Sequence, residues 1–186
     1  MGVFRLDPTN QHAVHPDDVL RVDRQLLNLG PVALYGSPER LQQNIEALQS
    51  YGYQCPMFDC TGWDSVEAMH QSFATELQFP GYYGRNLDAL DDCLWGLEIP
   101  EVGGVALVFW RYDLFAKRFP EVAWQVLDIV AHQSWAALLY GRRLLGLVQS
   151  DDPNLRFQPV GAKPVAWNIW ESLKIEEWAN RINPSG

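Results

Sequence analysis

Two kinds of apolar run alternate along this chain. Pro31-Val32-Ala33-Leu34-Tyr35, Gln54 to Asp59, Val105-Ala106-Leu107-Val108-Phe109-Trp110 and Leu144-Leu145-Gly146-Leu147-Val148 have the length of strands. The 105–110 run shows no polar alternation, as expected of a strand covered on both faces. Between these runs, apolar residues recur at helical spacing: Leu41, Ile45 and Leu48; Val66, Met69, Phe73 and Leu77; Leu87, Leu90 and Leu94; Val122, Val126, Ile129 and Val130. Pro16-Asp17-Asp18 at one end and Gly30 at the other predict a first helix over 16–29. Ser37, Asp64 and Asn86 read as caps of the next three helices, with Gly52 and Gly96 as stops for the first and last of them. A further helix is expected from about 119 to 133.

Strands alternating with helices predict an α/β fold with a mostly parallel sheet, joined by right-handed crossovers. Residues 151–163, with two prolines, Asn154 and Gly161, read as a connecting segment. Trp167, Trp170, Leu173, Ile175 and Trp178 beyond it predict a short helix docked on the body, because an exposed tail so rich in Trp would invite aggregation. There is no internal repeat.

Composition narrows the class. Of 186 residues, 47% are hydrophobic and 20% charged, which disfavours disorder, collagen and coiled coil. No apolar run reaches the ~18 residues of a spanning helix, and the first residues lack a secretory pattern, so a cytoplasmic protein without membrane contact is expected. The 14 basic and 23 acidic residues leave a net charge of -9, against direct nucleic-acid binding. Cys55, Cys60 and Cys93 are odd in number and lack zinc spacing; buried, reduced thiols are expected.

The acidity is concentrated. Between Glu76 and Glu101 lie six acids and one base, Arg85, a net -5 that exceeds half the charge of the whole chain. Asp88, Asp91 and Asp92, at i, i+3 and i+4, share one helix face, with Leu87, Leu90 and Leu94 on the neighbouring stripe, so the three carboxylates should point to solvent. Such a face admits three readings: a solvated surface, a carboxylate site for Mg²⁺ or Ca²⁺, or a docking face for a basic partner. The metal reading has only this one helix behind it.

Other candidate chemistry is thinner. His70 falls mid-helix beside Met69 and Phe73, with no Ser or Cys placed for a triad, and reads as a helix-face or partly buried residue. His12, His15 and His132 read as surface or turn residues. Gly103-Gly104 precedes a strand, but no phosphate-loop pattern follows. Tyr82 and Tyr83 fit either a binding surface or the core, and Trp95 either core or rim.

The stretch Leu77-Gln78-Phe79-Pro80-Gly81-Tyr82-Tyr83-Gly84-Arg85-Asn86-Leu87-Asp88-Ala89-Leu90-Asp91-Asp92-Cys93-Leu94 resembles the signature of the barstar family of ribonuclease inhibitors. The shared pattern is Pro-x-Tyr-Tyr-Gly-x-Asn-Leu-Asp-Ala-Leu-x-Asp-Cys-Leu. The resemblance implies a barstar-like, mostly parallel sheet of three to four strands packed with helices. It covers 52–150, with 1–51 as an N-terminal extension that adds a helix and a strand–helix unit, and 151–186 as a C-terminal tail. It further implies that the protein is not an enzyme and uses neither metal nor cofactor. Its loop and helix would block the active site of a basic ribonuclease.

Tyr82, Gly84, Asn86, Asp88 and Asp92 match the family's contact positions, and Tyr83, Asp91 and Trp95 complete the expected partner-binding set. Asp92 would stand in for an RNA phosphate among the enzyme's cationic groups. A monomer or weak dimer is expected. Two positions depart from the pattern: Asp91 stands where barstar has a Trp, and Arg85 where it has an acid. The target therefore need not be barnase. A non-inhibitory adaptor and a carboxylate-based hydrolase are the alternatives.

Overall fold

The computed structural model describes residues 21–168. The helices are α1 (Val22–Leu29), α2 (Pro38–Ser50), α3 (Val66–Glu76), α4 (Leu87–Trp95), α5 (Tyr112–Arg118) and α6 (Pro120–Leu139), with a 3-10 turn at Cys60–Gly62. The strands are β1 (Val32–Tyr35), β2 (Tyr53–Gln54), β3 (Met57–Asp59), β4 (Gly104–Trp110), β5 (Leu144–Gln149) and β6 (Ala166–Trp167). They form one sheet in the order β2–β4–β5–β1–β6, with β3 also beside β4. All five ladders are parallel, so the α/β class stands.

Six strand segments replace the expected three to four. The run 54–59 is cut in two at Pro56, which has no N–H to give a ladder, although its carbonyl accepts from the Val108 N–H at 3.0 Å. The sixth segment comes from the tail: Trp167 pairs with β1 instead of entering a helix. The expected first helix, 16–29, is helical only from Val22, because Arg21 is its extended N-cap; residues 16–20 and the rest of the expected tail helix (Trp170, Leu173, Ile175 and Trp178) lie outside the described residues. No helix among the described residues is long and apolar enough to cross a membrane.

Side-chain alternation sends the strands into two separate cores. Val105, Leu107 and Phe109 of β4, with Val32, Leu34, Leu144 and Val148, pack under α3, α4, α5 and α6. Ala106 and Val108, with Ala33, Tyr35, Leu145 and Leu147, pack on the opposite face under Leu26 of α1 and Leu41, Ile45 and Leu48 of α2. The aromatic centre of the first core stacks Phe58 on Phe109 at 5.1 Å, with Phe73 4.7 Å from Phe58 and Trp63 edge-on to Phe115 at 5.1 Å.

Gly103 and Gly104 acquire a packing reason. Gly103 has φ +84°, and a Cβ there would lie 2.3 Å from the Gly52 carbonyl carbon; at Gly104 it would lie 2.4 Å from the Arg143 carbonyl oxygen. The start of β4 is wedged between neighbouring backbones, which only glycine permits.

Several helix boundaries shift. Ser65, not Asp64, caps α3: its Oγ accepts from the Ala68 N–H at 3.1 Å, the spacing of three that a cap needs. The expected helix 119–133 extends to Leu139, and α5 precedes it. That short helix buries Tyr112, Phe115 and Ala116, and starts after Arg111 turns the chain at φ 56°. Arg111 donates its backbone N–H to Gln149 Oε1 at 2.9 Å.

Around these strand ends the polar groups close on each other. Gln149 Nε2 donates to Asp151 Oδ1 at 2.6 Å. Arg111 Nε faces Asp151 Oδ2 at 2.9 Å, an ion pair off the straight hydrogen-bond line. Lys117 Nζ lies 3.6 Å from buried Asp113 and 3.1 Å from Asp152. Farther along, Trp124 and Trp135 donate their indole N–H groups to the carbonyls of Pro159 and Gly161, and Asp128 accepts from the Gly161 N–H at 2.8 Å, so residues 159–161 strap across α6.

One buried carboxylate ties α1 to the sheet. Asp23 is 1% exposed. It accepts from Arg21 Nε and Nη2 at 3.1 and 2.8 Å, from the Arg24 N–H at 2.9 Å and from the Tyr53 hydroxyl at 3.2 Å. Burial opposes its charge, but these donors outweigh it and hold the carboxyl below its ordinary range. A depressed folded pKa contributes stability that is complete above the unfolded value near ~3.9 and lost as pH falls through the folded value. Asp23→Asn is therefore expected to destabilise the fold by about 1–3 kcal/mol at pH 7. Urea unfolding at pH 7 and at pH 3 checks this: the gap between variant and wild type should narrow on acidification.

Candidate functional site: the loop before α4 and its acidic helix

The loop between α3 and α4 is pinned from inside. Gln78 turns the chain at φ 53°, and the Phe79 N–H returns to the Ala74 carbonyl at 3.0 Å, closing the end of α3. The Tyr83 N–H donates to the Pro80 carbonyl at 2.9 Å. The Tyr83 ring then enters the first core, edge-on to Phe79 at 4.9 Å, with its hydroxyl 2.5 Å from His70 Nδ1. Burial lowers the His70 pKa, outweighing the nearby Glu67 charge, and Arg85 lowers it further. The imidazole, kept neutral, shares one buried hydrogen bond with the phenol. Burial likewise pushes the Tyr83 phenol up. His70, expected on a helix face or partly buried, is thus a fully buried anchor.

The sequence context then throws the neighbours outward. Tyr82 is 86% exposed. Gly84, Arg85 and Asn86 are exposed as well. Arg85 takes a left-handed conformation at φ 49°, which delivers Asn86 as the N-cap of α4; its Oδ1 accepts from the Ala89 N–H at 2.8 Å. A Cβ on Gly84 would come within 3.3 Å of the Asn86 side chain and 3.4 Å of the Ala89 Cβ, so the chain passes tightly over the cap.

On α4, Leu90 and Leu94 are buried, while Asp88 and Asp92 face solvent. Asp88 lies in the first turn, where the helix dipole favours a negative charge. Asp91 departs from the expectation that all three carboxylates share one open face. It stands at i+4 from Leu87 and i−3 from Leu94, on the flank of the apolar stripe, and is half-buried against α6. Gln133 Nε2 donates to Asp91 Oδ1 at 2.7 Å. Asp91 is thus used internally, as a clamp between two helices. Trp95 is exposed at the end of α4, its ring edge-on to Tyr140 at 6.1 Å.

Beside α4 runs a groove of about 750 Å³, with Tyr82, Asp92 and Cys93 among its lining and Gln54, Cys55 and Glu76 also contributing. The expectation of three buried thiols holds for Cys60 alone; Cys55 and Cys93 are half-buried at this groove. Burial pushes the Cys55 thiol up to about 11 and raises Cys60 and Cys93 as well, so these are thiols and not reactive thiolates at neutral pH. Among the described residues no three His, Cys, Asp or Glu side chains converge as metal ligands would.

Of the expected site residues, Tyr82, Gly84, Asn86, Asp88, Asp92 and Trp95 lie exposed together along the loop and helix, while Tyr83 and Asp91 support them from within. His70, Gln133 and Tyr140 are the residues sequence reasoning did not assign; Gln133 meets Asp91 from 42 positions away, and no local pattern signals that pairing. Tyr83→Phe is expected to cost about 1–3 kcal/mol, since it leaves the His70 nitrogen buried and unpaired. Tyr82→Phe should leave stability unchanged, and thermal unfolding of the two variants side by side checks the contrast.

Comparison with known proteins bears on this same segment. A family model described as "Barstar (barnase inhibitor)" matches residues 53–143, which include α3, the loop and α4. A protein of Bacillus subtilis (strain 168) named "Putative ribonuclease inhibitor YrdF" is 33% identical over 75 residues, covering 40% of this chain and 78% of that protein. Among solved structures, a Walker-type ATPase of Pyrococcus abyssi aligns with 88% of this chain at 11% identity and a TM-score of 0.36. This chain spans only 57% of that ATPase, and so low a score carries no argument. The signature loop, its capped acidic helix and the relative that matches over most of its own length make this chain a member of the barstar family.

Proposed function

We propose that this protein inhibits a basic ribonuclease by covering its active site with the loop 80–86 and helix α4. The observation that carries the reading is the pairing of a rigid support with an open acidic face. Tyr83 and the Asn86 cap hold the loop, the Asp91–Gln133 contact holds the helix, and Tyr82, Asp88 and Asp92 are left free to meet a partner. Rigidity before binding lowers the ordering cost of association. Two exposed carboxylates in a segment of net charge -5 suit a cleft lined with Arg, Lys and His, where they take the place of RNA phosphates. They also steer the encounter, so association should slow as salt rises.

Arg85 sits inside this acidic face, and Asp91 is not available to the partner as an aromatic anchor would be. Both features bear on which ribonuclease is recognised, and they favour a target whose cleft differs from that of barnase.

The test is RNA cleavage by barnase and by the ribonucleases of the source organism, titrated with the purified chain. At least one enzyme should lose activity at a stoichiometric ratio. Asp88→Ala combined with Asp92→Ala should then weaken inhibition on the order of 100-fold or more, mostly through faster dissociation. Wild-type protein that stops none of these enzymes, or a double variant that inhibits as well as wild type, would overturn the reading.

A further inference from the structure

At the far end of α4 the acidic face runs into an apolar groove. The groove has a volume of about 510 Å³ and is lined by Leu94, Leu97, Ile99, Ala136 and Ala137, with Trp95 and Tyr140 at its rim. These two aromatics are 60% and 70% exposed and meet edge to face, although a ring pair of this kind ordinarily sinks into a core. Arg142 is the one cation among the lining residues. Gln133 also lines the groove, and its amide holds Asp91, so the apolar groove and the acidic face are parts of one braced unit formed by α4 and α6.

We infer that this groove receives an apolar side chain of the same basic ribonuclease that the acidic face engages, and that it supplies a salt-insensitive share of the binding. The inference rests on the inhibitor reading above. Continuity with the acidic face, through Gln133 and Asp91, identifies the occupant. Asp92 stands one turn before Trp95 on the same helix, so a partner seated on the acidic face lies beside the groove. Glu98 and Glu101 follow in the chain just beyond it. The groove itself carries a single charge, Arg142, so the selection of a cationic partner comes from Asp88 and Asp92 on the preceding turns of the same helix and not from the groove. Exposed Trp and Tyr next to charged groups are the residue types that anchor interfaces, because they bury much area at little loss of side-chain freedom. A monomer that left this patch unpaired would carry a liability with no return.

The two contributions separate by salt. Against the ribonuclease that wild type inhibits, Trp95→Ala and Tyr140→Ala should each weaken inhibition on the order of tenfold, by a factor that stays constant as salt is raised. Asp88→Ala with Asp92→Ala should instead weaken it by a factor that shrinks with salt. Leu139, 84% exposed and off the groove, is the control, and Leu139→Ala should leave inhibition unchanged. Thermal unfolding of each variant confirms that the fold is retained, and Trp95→Leu provides a second, milder probe that should recover part of the affinity.

Full inhibition by both aromatic variants, while the aspartate variant fails, would overturn the groove and leave the inhibitor reading intact. Loss of inhibition by neither class would overturn both. A wild-type dimer in sedimentation that Trp95→Ala with Tyr140→Ala converts to monomer would assign the groove to a second copy of the chain and overturn the inference.

Discussion

β4 donates and accepts along both of its edges, to β2 and β3 on one side and β5 on the other, and its side chains enter two apolar cores in turn. A strand enclosed in this way cannot stand half-covered, because each face left open would expose a row of large apolar groups. The residues that match the barstar model supply the helices of one face: α3, α4, α5 and α6. The other face is closed by α1 and α2, which precede the match, and the far edge is lengthened by β1 and β6. Asp23 brings this cover into register with the sheet through a hydroxyl on β2.

The candidate site inherits its order from the first of these cores. Tyr83 is the pivot: one aromatic goes inward to His70 and Phe79, and its immediate neighbour goes outward. The alternation matters because a loop of Pro, Gly and Tyr has little intrinsic order, and an unpinned loop would lose much of its affinity to the entropy of being fixed on binding. Helix α4 is braced in a second way. Two like charges one turn apart weaken a helix, and the Asn86 cap, the Asp88 position in the first turn and the Gln133 contact with Asp91 all act against that weakness.

Much of this was legible in residues alone. The unbroken 105–110 run announces a strand buried on both faces, and Asn86 three residues before Ala89 announces its cap. The barstar-like stretch around Tyr82 and Asp92 led to the site. What was not legible depends on contacts between distant positions. Periodicity puts Asp91 with Asp88 and Asp92, and only the packing of α6 against α4 turns it to Gln133. Tyr82 and Tyr83 are the same residue type side by side, and no pattern says which is buried. The short α5 was missed because two turns carry too few apolar positions to set a period, and Trp167 became a strand because an open edge of β1 was there to pair with.

The polar cluster at the carboxyl ends of the strands has one more implication. In open α/β sheets that crevice is where ligands usually bind. Here Arg111, Gln149, Asp151, Lys117, Asp113 and Asp152 are engaged with one another across it. The proposed function puts recognition away from the sheet, on an outer helix whose Asp88 and Asp92 are exposed. A protein arranged in this way can be retargeted by surface substitution alone. Asp92 and Tyr82 can be exchanged one at a time while the framework that aims them stays as it is.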